Sequence, residues 1–232
     1  MTIAIMQPYF FPYLGYWQLL TFVDRFVVLD DVDFIKRGWI NRNNILLNGE
    51  SHMFTIPLDK CSQNKLISET RLKFPESAKD KFLRTIQMSY SKAPYFTRVY
   101  PLLREIIYYE TDDLTDFICD SFQKTLEYLG INQNIIRSSG IEKDDTLTGQ
   151  DRILEICGRL SAKVYINPIG GLNLYDKEKF FQNGILLNFI KMKNIEYRQF
   201  KNDFVKNLSF IDVLMFNDIS EIKTLLSEYE LL

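Results

Sequence analysis

Histidine and cysteine are scarce in this chain of 232 residues, and their scarcity restricts the chemistry that it can perform. The one histidine, His52, excludes a multi-histidine metal site, and Ser-His-Asp or Cys-His catalysis would have to use that residue. The three cysteines, Cys61, Cys119 and Cys157, are isolated, odd in number and without CxxC spacing. They argue against both a disulfide framework and a zinc site. We therefore predict that the protein has no bound metal or cofactor.

Excess charge and long apolar runs are also lacking. The formal net charge is −2, which gives no electrostatic case for a nucleic-acid partner or an acidic membrane surface. No apolar stretch is long enough to span a bilayer, and the chain begins in a strand-like run rather than a signal peptide. These features predict a cytoplasmic protein. Aromatic residues, by contrast, are abundant, with 18 Phe and 13 Tyr, and they fill a large core or form a homodimer face.

The most informative segment is the first one, which reads as strand, tight loop and helix. An apolar run at Ile3–Met6 is stopped by Pro8 and Pro12, and an amphipathic run follows from about Tyr16. The loop carries four hydrogen-bonding side chains and a glycine that allows close backbone approach: Gln7, Tyr9, Tyr13, Tyr16 and Gly15. Because a parallel strand meets a helix N-terminus here, this pattern favours a ligand site over a buried aromatic plug.

Strand-like and helix-like runs then alternate, which predicts an α/β fold. Further strands are predicted at Arg25–Asp31, Ile135–Ser138, Lys163–Asn167 and Gly184–Ile190, and a hairpin turns at Asn48-Gly49. Helices are predicted at Ala78–Tyr90, Tyr95–Tyr109 and Leu114–Leu129. We predict one α/β domain over 1–232, with a parallel-sheet Rossmann-like core and a mainly helical insertion at about 76–130.

Three predicted strands end in polar loops, which would converge on one crevice if the strands are neighbours. The first is Gln7–Gly15, the second Asp30–Asn43 and the third Asn167–Gly171. In the third, Gly170 and Gly171 offer backbone N–H groups to a phosphate, or simply form a tight turn.

The second loop has the highest density of functional groups. Lys36, Arg37 and Arg42 suit a phosphate or carboxylate, and Trp39 offers a face for stacking on a base or sugar. Asn41 adds a further polar group. Asp30 or Asp31 could act as a general base toward an amine. The alternative is a solvated loop with internal ion pairs.

Several segments together resemble the WbqC-like family. They are Met6–Tyr16, the Asp30-Asp31 strand end, Lys36–Asn43, Lys92–Phe96 and Leu208–Asn217. The resemblance covers nearly the whole chain. It implies a role in building the O-antigen of lipopolysaccharide or another surface glycan, by decorating a nucleotide-linked amino sugar with an amino acid or acyl group.

The resulting hypothesis is an N-acyl or aminoacyl (for example glycyl) transferase acting on a nucleotide-linked amino sugar. Its donor would be a thioester on coenzyme A or a carrier protein. Asp30 or Asp31 would be the base, and Tyr13 and Gln7 the oxyanion donors. Substrate-binding residues would be Tyr9, Gly15, Tyr16, Lys36, Arg37, Trp39, Asn41, Arg42, Asn167, Gly170 and Gly171.

A more distant likeness keeps two alternatives open. Pro12–Tyr16 occupies the place of the His-x-Gly-His motif of nucleotidyltransferases, with tyrosines for both histidines. The core could therefore be nucleotidyltransferase-like, and one alternative is an ATP-dependent nucleotidyl or adenylyl transferase. The other alternative is a non-catalytic protein that binds a sugar nucleotide or a carrier protein.

Overall fold

The computed structural model describes residues 1–59, 65–201 and 203–232, so Cys61 lies outside the described residues. Its strands, numbered in chain order, are β1 (Thr2–Met6), β2 (Arg25–Val28), β3 (Arg42–Leu47), β4 (Glu50–Thr55), β5 (Leu58–Asp59), β6 (Arg71–Leu72), β7 (Asn134–Arg137), β8 (Val164–Pro168), β9 (Leu186–Met192) and β10 (Tyr229–Leu231). Its α-helices are α1 (Leu14–Phe22), α2 (Glu76–Tyr90), α3 (Phe96–Ile107), α4 (Leu114–Leu129), α5 (Gly149–Arg159), α6 (Lys177–Gln182), α7 (Phe210–Phe216) and α8 (Ile219–Ser227).

A six-stranded sheet in the order β10-β9-β8-β1-β2-β7 forms the centre. All neighbours pair in parallel except β10, which runs antiparallel to β9. The carboxyl ends of β9, β8, β1, β2 and β7 therefore lie along one edge of the sheet. The sheet confirms the predicted α/β fold with a mainly parallel, Rossmann-like core.

Both faces of this sheet are covered because successive strand residues point to opposite sides. Ile3, Ile5 and Val27 pack with residues of α5 and α6 on one side. Ala4 and Phe26 pack with residues of α1, α4 and α7 on the other. The near-continuous apolar runs in the strands are thus explained by burial on both faces.

Residues 29–133 separate β2 and β7, which are neighbours in the sheet. This segment holds α2, α3 and α4, close to the three helices predicted from the sequence. The Asp113 side chain accepts the Asp116 N–H at 2.8 Å at the start of α4. Gly130 ends the same helix in the left-handed region, with φ of 63°.

The segment also holds the predicted hairpin, formed by β3 and β4. Asn48 (φ 54°) and Gly49 (φ 84°) make the turn with both central residues left-handed, as two-residue hairpin loops prefer. His52 is exposed on β4. In the described part of the chain, no helix is both long enough and apolar enough to cross a membrane.

Candidate functional site

A cavity of about 620 Å³ lies beyond the carboxyl ends of β1, β2 and β8. We call it the central cavity. Among its lining residues are Gln7, Tyr9, Tyr13, Tyr16, Trp39, Asn167, Gly170 and Gly171. The structure therefore brings together residues from all three loops that the sequence singled out, as the rule for open parallel sheets requires.

The N-terminal loop is fixed in a strained conformation that presents its tyrosines. Phe11 has φ of 44°, which is unfavourable for a bulky side chain. Its carbonyl accepts hydrogen bonds from the Ser209 hydroxyl at 2.9 Å and from the Asn43 amide. Phe10 and Phe11 are fully buried, whereas Tyr9 and Tyr13 line the cavity. The loop is thus both an aromatic plug, through its phenylalanines, and a site wall, through its tyrosines.

Trp39 and Tyr9 form an aromatic wall at the cavity mouth. Their ring centroids lie 6.2 Å apart at an interplanar angle of 38°, and Trp39 remains 47 % exposed. The Arg42 guanidinium lies 5.5 Å from the Trp39 ring centroid, and its Nε donates to the Gly38 carbonyl at 2.6 Å. An indole face supported by a cation is well suited to stack on a planar ligand.

The hydroxyls of Tyr9 and Tyr13 stay protonated at neutral pH. Burial raises the pKa of both Tyr9 and Tyr13 above the ordinary phenol value. Both residues can therefore donate hydrogen bonds to a ligand in the central cavity, and neither can act as a base.

Tyr16 and Gly15 have structural roles that their sequence pattern conceals. Tyr16 is 2 % exposed, and its hydroxyl donates to the Gln7 carbonyl at 2.8 Å. Its ring touches the cavity, but its hydroxyl is already engaged. At Gly15, an added Cβ would lie 2.7 Å from the Tyr13 ring. The glycine thus makes room for Tyr13 and does not itself line the cavity.

The loop after β8 is shaped by the close approach of the Asn167 side chain to the backbone of Gly171. The Asn167 amide donates to the Tyr165 hydroxyl at 2.7 Å, and a Cβ at Gly171 would lie 2.0 Å from Asn167 Oδ1. The absence of a side chain at Gly171 therefore lets Asn167 pack against its backbone. Gly170 is exposed and has no heavy atom within 4 Å of an added Cβ, so its backbone remains open to a ligand.

Asp30 does not lie in the central cavity and is saturated with hydrogen bonds. It is fully buried, with Oδ2 accepting from Arg137 Nε at 2.7 Å and from the Ser139 hydroxyl at 2.8 Å. Oδ1 accepts from the Ser139 N–H at 2.9 Å, and the Asp30 N–H donates to the Ser138 hydroxyl oxygen at 3.1 Å. The geometry therefore disfavours the expected role of Asp30 as a general base, because its carboxylate ties the end of β2 to β7.

Asp31 lies beside the central cavity and is held as a carboxylate. It lines an adjoining cavity of about 400 Å³, which also contains Gln7. Burial would raise the pKa of Asp31, but hydrogen bonds from Lys143 and Ser138 and the charges of Lys143 and Arg152 lower it below the ordinary value. A carboxylate with a lowered pKa is a weak base. The geometry therefore disfavours the expected role of Asp31 as general base.

Comparison with known proteins identifies the family to which the chain belongs. The WbqC-like protein family matches residues 7–224, which include every loop of the cavity. The chain belongs to the WbqC-like family. The "Uncharacterized protein Rv1507c" of Mycobacterium tuberculosis (strain ATCC 25618 / H37Rv) is 27 % identical over 215 residues, covering 91 % of this chain and 92 % of that protein. No solved structure matches the chain.

In this WbqC-like protein, four further predicted contacts, besides Gly15, lie outside the central cavity lining. Lys36 and Arg37 are exposed beside it. The Asn41 amide donates to the Ile56 carbonyl at 2.7 Å, which fixes the hairpin. Arg42 reaches the cavity only through its stacking on Trp39. The cationic groups expected to bind a phosphate therefore stand at the rim.

Sequence reasoning missed the partners of the two acids. Lys143, only 2 % exposed at its side chain, forms a close ion pair with Asp31. Arg152 donates to the Leu147 and Asp145 carbonyls, each at 2.8 Å, as well as to the Asp31 carbonyl. A buried aspartate needs a cation or several donors, but the sequence does not say which distant residue supplies them.

Proposed function

We propose that this WbqC-like protein holds a nucleotide-linked amino sugar in the central cavity and transfers an acyl or aminoacyl group to its amine. The aromatic wall of Tyr9 and Trp39 carries the proposal. A nucleobase would stack on the exposed Trp39 face, and a diphosphate would contact the Arg42 guanidinium at the rim. The sugar would lie deeper, near Gln7 and Tyr13.

The reaction requires little from the protein except binding and oxyanion stabilisation. The amine nitrogen attacks the thioester carbonyl carbon, a C–N bond forms, and the C–S bond breaks. The amine gives up one proton, the thiolate takes one, and the products are an amide and a thiol. Tyr13 and Gln7 would donate hydrogen bonds to the developing oxyanion.

A second candidate function is sugar-nucleotide binding without catalysis. The central cavity lining, all of it within the described ranges, contains no aspartate, glutamate, histidine, lysine or arginine. A cavity without an internal proton acceptor suits a binding protein, or a transferase whose amine loses its proton to solvent.

Calorimetric titration tests the binding step. The ligands are a thymidine-diphosphate 4-amino sugar, a uridine-diphosphate amino sugar, and ATP with magnesium. We expect an amino-sugar nucleotide to bind and Trp39→Ala to weaken that binding roughly tenfold, because stacking contributes about 1–3 kcal/mol per base. Phe181→Ala, which removes an aromatic side chain that is 71 % exposed on α6, is the matched control. Binding of ATP alone would favour adenylyl transfer instead.

Mass spectrometry then separates transferase from binding protein. The protein is incubated with the amino-sugar nucleotide that binds and with acetyl- and glycyl-thioesters of pantetheine. An amide product formed faster than in protein-free solution supports transfer. Tight sugar-nucleotide binding with no amide from either thioester would instead support the binding function.

A further inference from the structure

A second cavity, of about 870 Å³, lies beyond the carboxyl end of β9. We call it the β9 cavity. Its lining includes Tyr13, Leu14, Lys191, Met192, Glu196, Tyr197, Lys206, Asn207, Leu208 and Glu230. Tyr13 also lines the central cavity, so this one side chain stands between the two.

The position of Tyr13 between the cavities is built into the local sequence. The missing side chain of Gly15 leaves room for the Tyr13 ring, which an added Cβ would approach to 2.7 Å. The same Cβ would lie 3.6 Å from Met192 at the end of β9. Tyr13 therefore lies where two ligands, one in each cavity, would come closest.

The outer wall of the β9 cavity is held by a buried carboxylate on α7. Asp212 is fully buried and accepts hydrogen bonds from the Tyr197 hydroxyl at 2.8 Å and the Gln199 amide at 2.7 Å. Gln199 also bonds the Val205 backbone through both ends of its amide, at 2.8 and 3.0 Å. These bonds hold Tyr197, Gln199 and Val205 in place before any ligand arrives.

The chemistry of the β9 cavity differs from that of the central cavity. Leu14 and Leu208 give it a buried apolar floor. Charges of both signs line it as well, on the exposed residues Lys191, Lys206, Glu196 and Glu230. Within the described part of the chain, none of these four forms an ion pair. A fifth charged residue of the lining, Lys193, pairs with Glu228 at 2.9 Å.

We propose that the β9 cavity binds the donor of the proposed transfer as an aminoacyl thioester of phosphopantetheine, an assignment that rests on the proposed function. An apolar floor suits the pantetheine chain, and the lysines suit its phosphate. The glutamates suit the α-ammonium of an aminoacyl group, which a plain acyl group lacks. The thioester would end at Tyr13, facing the amine in the central cavity.

The test uses two stable analogues, phosphopantetheine bearing glycine or acetate through an amide in place of the thioester. They are titrated into the full-length protein with and without a saturating amino-sugar nucleotide. We expect both analogues to bind alongside the sugar nucleotide. The glycyl analogue should bind about two- to fivefold more tightly, as exposed charge contacts allow.

Charge variants locate the two ends of the analogue. The double change Glu196→Gln and Glu230→Gln should abolish the preference for glycine. Lys191→Gln with Lys206→Gln should weaken both analogues about equally. Lys163→Gln, an exposed lysine just before β8 at the opposite edge of the sheet, should change nothing. Displacement by coenzyme A, or only by a carrier protein loaded with phosphopantetheine, identifies which source supplies the arm.

Three results would overturn the assignment: no analogue binding while the sugar nucleotide still binds, competition between analogue and sugar nucleotide, or a glycine preference that survives loss of both glutamates. Failure of the proposed function has a different signature. The analogues would bind and respond to the β9 cavity variants, but no amino-sugar nucleotide would bind at all.

Discussion

Two adjacent glycines allow a sharp test of the central cavity's geometry. Gly171→Ala places a Cβ 2.0 Å from Asn167 Oδ1. To restore an ordinary contact of 3.4 Å, the Asn167 amide must retreat by about 1.4 Å. That movement breaks its 2.7 Å hydrogen bond to the Tyr165 hydroxyl. Gly170→Ala, one residue earlier, meets nothing within 4 Å.

The size of the effect follows from these contacts. Overpacking costs about 1–3 kcal/mol, and the lost hydrogen bond between buried side chains costs about 1 kcal/mol. We therefore expect Gly171→Ala to lower the free energy of unfolding by about 2–4 kcal/mol. Gly170→Ala should stay within about 0.5 kcal/mol of the parent protein.

Urea unfolding followed by tryptophan fluorescence measures both variants. Gly171→Ala should unfold at a lower urea concentration with an unchanged slope. The same samples are titrated with the amino-sugar nucleotide, since a displaced Asn167 would narrow the cavity. Equal stability of the two variants would refute the proposed packing of Asn167 against Gly171.

Three further predictions concern the groups around the site. Asp31→Asn should lower the free energy of unfolding by about 3 kcal/mol, because it removes the closest carboxylate of the buried Lys143 ammonium and leaves only the exposed Asp145 at 3.6 Å. Unchanged stability with abolished turnover would restore Asp31 as a base. Ser209→Ala should lower the free energy of unfolding by about 1–2 kcal/mol, because it removes a donor to the Phe11 carbonyl. It should also weaken sugar-nucleotide binding. A change in stability without any change in affinity would show that Ser209 does not position the loop for the ligand. Burial raises the pKa of Asp212 from 3.8 to about 6, so the folded state holds this proton more tightly than the unfolded state. The contribution of Asp212 to stability is therefore full below about pH 4 and falls by up to about 3 kcal/mol as the pH rises through 6. Urea unfolding at several pH values should show this dependence. Asp212→Asn should remove it.

The core of the fold could be predicted because its signals are local. Apolar runs gave the parallel strands, and α4 is marked at both ends by Asp113 and Gly130. The C-terminal part could not be assigned in the same way. α7 is buried along its whole length, so it has no polar face and no helical periodicity to detect. Its place depends on distant contacts, such as Phe210 stacking on Trp17 with ring centroids 4.6 Å apart.

The candidate site was predictable in its aromatic part and not in its charged part. Gln7, Tyr9 and Tyr13 follow a strand end directly, and topology alone carries them to the sheet edge. The expected phosphate contacts Lys36 and Arg37 depend on how an irregular loop folds, and no local pattern fixes that. A charged residue in a loop is equally typical of a ligand contact and of a solvent-exposed surface. Only its surroundings in the folded protein distinguish the two.

The two aspartates at the end of β2 show why residue type alone misleads. β7 is a four-residue edge strand bonded to β2 on one side, and so short an edge strand gains little from the ladder alone. Asp30 compensates with bonds to Arg137, the last residue of β7, and to Ser138 and Ser139 just after it. Acids at a strand end in an α/β protein therefore need not be catalytic, because they can anchor the next strand. With Asp30 engaged in this anchoring, the proposed sugar-nucleotide contacts lie on the uncharged, aromatic side of the cleft, where Tyr13 separates the two cavities.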